Sequence, residues 1–528
     1  MLTDSEILLI PELIRTKVVD LVGVARRVKA AELKVSLLEE ELRRERRAKY
    51  GPASEKLNDA QLELLEGEPG VCAAEVEAEA AQPEERKEMV TRTVRRRTPR
   101  GSASLPAHLP RIEKLISCDP KDCICPCCQG TREVIGHEQT ERLHRIPARY
   151  EVHVFKMEKR ACRRCAQGGV TTATRPAFII SKGIATNEMV VEVMDAKYLM
   201  HLPLYRQRIE MERESGVLLS DSTLCGWMME CGFLLQAISR ELMRELMRDL
   251  VAGTYIQADE TPIGVRSSEI KGRNHRGYLW EYGRPGGPVV FDYQDGRGRD
   301  GPARMLKGFR GKLQTDAYAV YGTLDLPGML HAGCMAHVRR KFKEAADIHQ
   351  SEHGLLEVLG GIGELYAIEK QAGEEQLTHD RRQHLRHKES RPRLAALKQK
   401  VIALRQGALP KGLIARACDY TLGIWDRLEV YLEDGQIQID NNAAERSIRP
   451  VALGRKNWLH FGSKEAGPRI AAILSVMETC RRCAVPVREY LLDVLPRLAS
   501  GKATDVTSLT PQAWAASRTQ AAAQAQAH

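Results

Sequence analysis

No run of about 20 apolar residues occurs in this 528-residue chain, so a transmembrane helix is not expected. The opening Met1-Leu-Thr-Asp-Ser-Glu6 lacks the basic start of a secretory signal. Fourteen cysteines without an export signal do not suggest a disulfide framework. They point to reduced thiols and metal binding, and the cytoplasm is the expected compartment. Acidic charge is the minority: 70 Asp and Glu stand against 80 Lys and Arg, a net charge of +10. Because the basic residues cluster, a polyanionic partner is favoured over a merely soluble surface. The length exceeds one ordinary core, and a 43% hydrophobic content can fill several.

Residues Leu21, Val24, Val28, Ala31, Val35, Leu38 and Leu42 follow a 3-4-3-4 spacing. That is a heptad seam about three heptads long, and it predicts a coiled-coil helix over residues 1–50 that forms a homo-oligomer. A single amphipathic helix on its own domain is the alternative. Residues 51–115 read as a linker, acidic first and then basic from Arg92 to Arg100. In 116–170, Cys125-Pro-Cys-Cys128 and Cys162-Arg-Arg-Cys165 are two C-x2-C knuckles 33 residues apart. Cys125, Cys128, Cys162 and Cys165 can present four thiolates tetrahedrally to one structural Zn2+, leaving no open position for water. Cys118, Cys123 and Cys127 are alternative ligands, and 149–155 reads as a strand of a hairpin within the module. Residues 171–250 read as helical, with Ser220 capping a helix in a possible helix–turn–helix that would bind DNA. An ordinary helical pair fits equally well.

From 251 the periodicity changes. Strand-like runs at 253–258, 277–283 and 288–293 form a meander, with Arg284-Pro-Gly-Gly-Pro288 as the second turn. A helix at 302–308 and a fourth strand at 312–315 follow. This order predicts an α/β ribonuclease-H-like catalytic core in 251–350 and 437–500, interrupted by a helical insertion in 351–436. Asp259 and Asp316 each end a strand-like run, and Glu445 lies in the helix start Asp440-Asn-Asn-Ala-Ala-Glu445. Oxygen ligands suit hard cations, so Asp259, Asp316 and Glu445 are expected to hold two Mg2+ or Mn2+ ions that act on phosphodiesters. Glu260 and Asp292 are rival ligands. Asp440 is better read as the cap of the helix bearing Glu445. His337, Arg339 and Arg340 on one helix, and Arg446, Arg449, Arg455 and Lys456 around Glu445, are candidate DNA contacts. Metal at Cys334-x-x-His337 is disfavoured because no second pair lies nearby.

Several motifs together resemble one family. They are Lys49-Tyr-Gly-Pro-Ala-Ser-Glu-Lys56, the Cys125 to Cys165 segment with Ile146-Pro-Ala-Arg149, and Leu202-Pro-Leu-Tyr-Arg-Gln207. Gln257-Ala-Asp-Glu-Thr261, Gly333-Cys-Met-Ala-His-Val-Arg-Arg-Lys-Phe342, Asp440-Asn-Asn-Ala-Ala-Glu-Arg446 and Gly454-Arg-Lys-Asn-Trp458 complete the set. The chain resembles the bacterial insertion-sequence-sixty-six transposases of the TnpC type, up to about residue 500. The resemblance implies a DDE transposase with Asp259, Asp316 and Glu445 as its triad and zinc on the four cysteines. Its DNA would be the element's terminal inverted repeats and a target, with small accessory proteins of the same element as partners. Two rival functions stay open: an inactive zinc-containing DNA-binding regulator, and a nuclease of the same fold. The Ala/Gln-rich stretch 501–528 lies outside the resemblance and is expected to be disordered.

Overall fold

The structure, a computed structural model, describes residues 12–50, 150–161, 170–251, 255–266, 274–316, 318–324, 326–501 and 505–526. The four candidate zinc cysteines lie outside these residues. Contacts divide the chain into two units, Met1–Gln82 with Phe155–His528, and Pro83–Val154. Of the second, only 150–154 are described, without regular structure. The strand expected at 149–155 is therefore not formed over its described part, where Val152 is 90% exposed and gains nothing from pairing.

Helix α1 (Glu12–Tyr50) carries the heptad residues on its exposed side, Leu21 at 68% and Val35 at 55%. Its other side docks: Leu33 and Leu37 are half-buried, and the buried Glu40 accepts from the Leu413 amide at 2.7 Å and meets His349 Nε2 at 2.9 Å. Strands β1 (Lys159–Ala161) and β2 (Val170–Thr172) pair antiparallel. Helix α2 (Asn187–Tyr198) is capped by Thr186, and α3 (Leu204–Ser215) ends at Gly216, whose φ of 68° suits glycine. Ser220 Oγ accepts the Thr223 amide at 3.0 Å as the cap of α4 (Asp221–Val251). This helix runs 31 residues and buries Leu224, Trp227, Met228, Cys231, Leu235 and Ile238 at helical spacing in the same core as the sheet.

The meander is β3 (Tyr255–Arg266), β4 (Asn274–Gly283) and β5 (Val289–Gln294), all antiparallel neighbours. The Arg284–Pro288 turn closes as expected, with Gly286 at φ 71°. Asp259 does not end its strand: β3 continues for seven more residues because β4 pairs with it through Arg266. The helix expected at 302–308 is α5 (Asp300–Met305), followed by β6 (Lys312–Gln314), the single-turn α6 (Ala319–Gly322) and β7 (Leu330–Ala332). The sheet order is β5-β4-β3-β6-β7, with β6 and β7 parallel to β3.

Helix α7 (Met335–Ile348) leads into the insertion: α8 (His353–Glu374), α9 (His379–Leu385), α10 (Arg391–Gly407), α11 (Leu413–Gly423) and α12 (Trp425–Glu429). All of these helices but α9 share a second core, with Leu355, Leu359, Leu394, Leu397, Val401 and Trp425 against Val338 and Phe342 of α7. A π-helical turn, Arg386–Ser390, joins α9 to α10 and turns Arg386 fully inward. There Arg386 donates to both oxygens of Glu369 at 2.7 and 2.8 Å, and to the carbonyls of Tyr431 and Asp434.

The chain returns to the sheet through α13 (Asn442–Trp458), β8 (His460–Phe461) and α14 (Ala466–Arg482). Helix α14 lies on β5, where Ser475 and Thr479 hydroxyls accept from the Phe291 and Val289 amides at 2.8 and 3.1 Å. Those bonds satisfy an edge that would otherwise be open to pairing. A Cβ at Gly232 of α4 would sit 2.7 Å from Arg469, so glycine permits α4 to approach α14. Helices α15 (Val487–Ala499) and α16 (Pro511–Gln526) finish the chain.

Over its described residues 505–526, the stretch expected to be disordered instead forms a short turn and α16. Trp514 is buried edge-to-face on Tyr490, and its indole N–H donates to Asp493 at 2.7 Å. One aromatic anchor outweighs the Ala/Gln composition around it. Trp514→Ala is expected to release α16, measured as faster trypsin cleavage at Arg518 with the unfolding midpoint of the remaining core little changed. Among the described residues no helix is long and apolar enough to cross a membrane.

Candidate active site

Along one side β3 is paired with β4 continuously from Gln257 to Arg266. Along the other, β6 covers Tyr255–Gln257 and β8 covers Gly264–Val265. Between them no described strand pairs with 258–263, and α13 packs there instead. Arg455 supplies part of the missing ladder, donating to the Pro262 carbonyl at 2.6 Å and to Thr261 Oγ1 at 2.9 Å. Asp259 lies on this open stretch, Asp316 follows β6 by two residues, and Glu445 is in the first turn of α13.

The three acids sense one another. Burial is the main cause that lifts the Asp259 pKa well above the usual carboxylate range, with repulsion from Glu260, Asp316 and Glu445 adding to it. Burial also raises Glu445, opposed by Arg340, whose Nη2 is 3.3 Å from Oε2. His337 Nε2 stands 3.6 Å from Glu445 Oε1, and burial followed by the Arg340 charge pulls its pKa down to about 4, so it is neutral there at pH 7. Each acid is also held locally: Asp259 accepts the Glu260 amide at 2.9 Å, and Asp316 accepts the Tyr318 amide at 3.0 Å.

The rivals are engaged elsewhere. Asp292 pairs with Arg304 at 3.0 Å, and Glu260 accepts from Arg297 Nε at 2.8 Å. Burial, then Asp316, lifts the Glu260 pKa to about 7 against the pull of Arg297. Asp440 accepts the Asn442 amide at 3.1 Å and the Tyr366 hydroxyl at 2.8 Å, one residue before the cap position, which is Asn441. Cys334 is buried, with its Sγ accepting the Asn441 amide at 3.4 Å.

Of the candidate DNA contacts, Arg340 on α7 and Arg446, Arg449 and Lys456 on α13 have exposed or half-exposed side chains, with Lys456 in the last turn of α13, away from Glu445. His337 and Arg340 sit against the Glu445 carboxylate itself. Arg455 is spent on β3. Arg339 is corrected: it is 5% exposed, on the inward side of α7, and does not reach the surface. Trp458 stacks on Phe461 at 5.8 Å, a packing role.

The donor set fits a hard divalent ion in chemistry, since Asp259, Asp316 and Glu445 each supply carboxylate oxygens. Among the described residues, however, no three His, Cys, Asp or Glu side chains stand close enough to hold a metal without moving. Their present partners are Arg340 and His337 at Glu445 and backbone amides at Asp259 and Asp316. Residue typing missed Gln257, Gln314 and Gln438, which are buried or half-buried behind the acids and bonded to one another. A signal existed: Gln257-Ala-Asp259, Gln314-Thr-Asp316 and Gln438-Ile-Asp440 are the same Gln-x-Asp triplet.

The mixed sheet, the acids at its open edge and the inserted helices define a multidomain α/β protein with an acidic site. Residues 182–469 match the family model described as Transposase IS66 family. Residues 37–113 match one described as Transposase C of IS166 homeodomain, and 122–166 match the zinc-finger binding domain of transposase IS66. The uncharacterized protein y4qI of Sinorhizobium fredii is 31% identical over 513 residues, covering 92% of this chain and 90% of its own length. The uncharacterized protein y4jD of the same organism is 30% identical over 429 residues, 78% of this chain and 82% of its own. The chain belongs to the IS66 family of transposases, DNA-binding and DNA-processing proteins. The zinc-finger match supports a bound zinc ion.

Proposed function

We propose that this chain is a DDE transposase that binds the terminal inverted repeats of its element, cleaves the DNA there and joins the freed end to a target. The carrying observation is that Asp259 on the open stretch of β3, Asp316 just after β6 and Glu445 in the first turn of α13 come from three distant segments, with Asp316 and Glu445 both adding to the rise in the Asp259 pKa that burial chiefly causes. The order β5-β4-β3-β6-β7, with only β4 antiparallel to both its neighbours, supports a ribonuclease-H-like core. Asp259, Asp316 and Glu445 would hold two Mg2+ or Mn2+ ions. Bound there, such ions would activate the attacking oxygen and stabilise the leaving one.

In the first step water attacks a phosphodiester at the element end. One P–O bond forms, the P–O3′ bond breaks, and the 3′ oxygen leaves as a hydroxyl after taking up a proton. In the second step that hydroxyl attacks a target phosphodiester with the same exchange of bonds. No serine or histidine nucleophile is required, because position and electrostatics supply most of the acceleration. Arg340 can turn from Glu445 to a DNA phosphate, and Arg446, Arg449 and Lys456 extend that basic surface. The exposed heptad stripe of α1 supports pairing with a second copy, and accessory proteins of the element remain partners in this reading.

The test is incubation with end-sequence DNA and Mg2+, with cut and joined strands mapped. Cutting without joining would mark a nuclease, and neither would mark a regulator. Zinc is assigned to Cys125, Cys128, Cys162 and Cys165 as an architectural ion of the end-binding module. Its removal by a chelator, with Mg2+ restored, is expected to weaken end binding and unfold that module, because structural zinc contributes folding free energy. End binding that survives complete zinc loss would remove the cysteines from recognition.

A further inference from the structure

β3 and β6 pair with Gln257 opposite Gln314, the last rung before the two strands separate. Residues two apart on a strand share a face, so Gln257 lies one step behind Asp259 on β3, and Gln314 ends β6 two residues before Asp316. The two are 1% and 0% exposed, and Gln257 Nε2 donates to Gln314 Oε1 at 3.0 Å. The same amide reaches the third acid's helix from both sides. Gln257 Oε1 accepts the Ala444 N–H at 3.0 Å, and Nε2 lies 2.9 Å from the Asp440 carbonyl. Ala444 directly precedes Glu445, and its N–H also meets the Asn441 carbonyl at 3.0 Å.

Gln314 ties in the remaining segments, donating from Nε2 to the carbonyls of Gly333 and Gln438, each at 2.8 Å. Gly333 leads into the helix carrying His337 and Arg340. Gln438 adds its own side-chain oxygen 3.3 Å from Gln257 Nε2, and its amide donates to the Tyr255 hydroxyl at 3.2 Å. Tyr255 in turn donates to Gln314 Oε1. Four chain segments therefore converge on a buried, uncharged hydrogen-bond network beneath the acids.

A carboxamide is the side chain that can do this. It donates and accepts through one planar group, so one residue serves an N–H and a carbonyl of the same turn. A carboxylate there would add repulsion to acids already crowded, and a cation would neutralise them. Asp259 and Asp316 are each held by one local amide, and Glu445 by Arg340 and His337, so the network sets the backbone spacing from which these side chains reach.

We propose that Gln257, with Gln314 and Gln438, forms a positioning latch that sets Glu445 against Asp259 and Asp316 for metal binding. These are positioning residues, which touch neither metal nor DNA. The inference rests on the reading of the three acids as the metal site.

The test uses the full chain and Mn2+ alone, followed by loss of the free-ion paramagnetic resonance signal, alongside end cleavage and circular dichroism. Gln257→Met keeps the volume and removes every polar contact. It is expected to keep the wild-type spectrum and end binding while needing about 10–100-fold more Mn2+ for half-occupancy. In a Glu445→Gln background the same change should cost little more, because the ligand being positioned is already gone. A Mn2+ isotherm for Gln257→Met that overlays wild type, or a full additional loss in the double variant, overturns the latch. If Gln257→Met does not fold, Gln314→Met is measured. It adds no charge, keeps the Gln257 bonds to Ala444 and Asp440, loses the bonds to the Gly333 and Gln438 carbonyls, and carries the same expected and overturning results. Should Glu445→Gln itself leave the isotherm unchanged, the acid-site reading fails first, and that failure is distinguishable from a fault in the latch.

Discussion

Glu445→Gln is expected to abolish Mg2+-dependent cleavage of element ends while end binding persists. The substitution keeps shape and removes one charge, so packing in the first turn of α13 is retained. What it removes is an anionic oxygen ligand, and metal stabilisation of a phosphoryl-transfer transition state is worth several kcal/mol. A loss of about 4 kcal/mol lowers the rate roughly 10³-fold. Arg340 loses its partner but is half-exposed, so water or DNA phosphate can replace Glu445 and binding need not suffer. Asp259→Asn should behave alike, since Asp259 is the acid that both others repel. Cleavage is read on labelled end fragments and binding by mobility shift. Wild-type cleavage by either variant would remove the triad.

The second large effect lies far from the acids. Arg386→Ala is expected to destabilise the helical insertion by about 3–5 kcal/mol, because it strands the buried Glu369 carboxylate. Arg382 also pairs with Glu369, through Nε at 2.9 Å, and keeps the loss from being larger. Burial alone would raise the Glu369 pKa, yet Arg386 and Arg382 together hold it below the usual value. A depressed folded-state pKa means that this stabilisation is fully present above the unfolded carboxylate pKa. It is lost as pH falls through the folded value. In Arg386→Ala burial regains the upper hand, so protonation relieves the stranded charge. The gap between variant and wild type should narrow from pH 7.5 towards pH 4.5, measured by thermal unfolding. A constant gap across that range would show that the charge on Glu369 is not the cause.

Much of the sheet was legible because its signals are local. The alternating runs and the Pro-Gly-Gly-Pro turn need no distant partner, and Ser220 and Asp440 announce their helix starts within three residues. The length of β3 was not legible, since Pro262 and Gly264 argue against a strand. Its open side resolves the conflict: the Pro262 carbonyl faces Arg455 there, and the missing N–H on that side costs no ladder bond. Arg339 and Arg340 are alike in sequence and differ only in which side of α7 they occupy. Trp514 was hidden by the composition around it. The glutamine network is visible in sequence as a repeated triplet, but its meaning needs the β3–β6 register and the return of a segment 187 residues away.

That return also orders events in time. The sheet strands with Asp259 and Asp316 are made first, and Glu445 is 129 positions beyond Asp316. At about 5–20 residues per second, a ribosome needs roughly 6–26 s to synthesise that interval. Contacts so distant in sequence are expected to close late, after the inserted helices have been synthesised. A nascent chain thus carries two of its three acids without the third, and a transient opening of the insertion in the finished protein would recreate that state without unfolding the sheet.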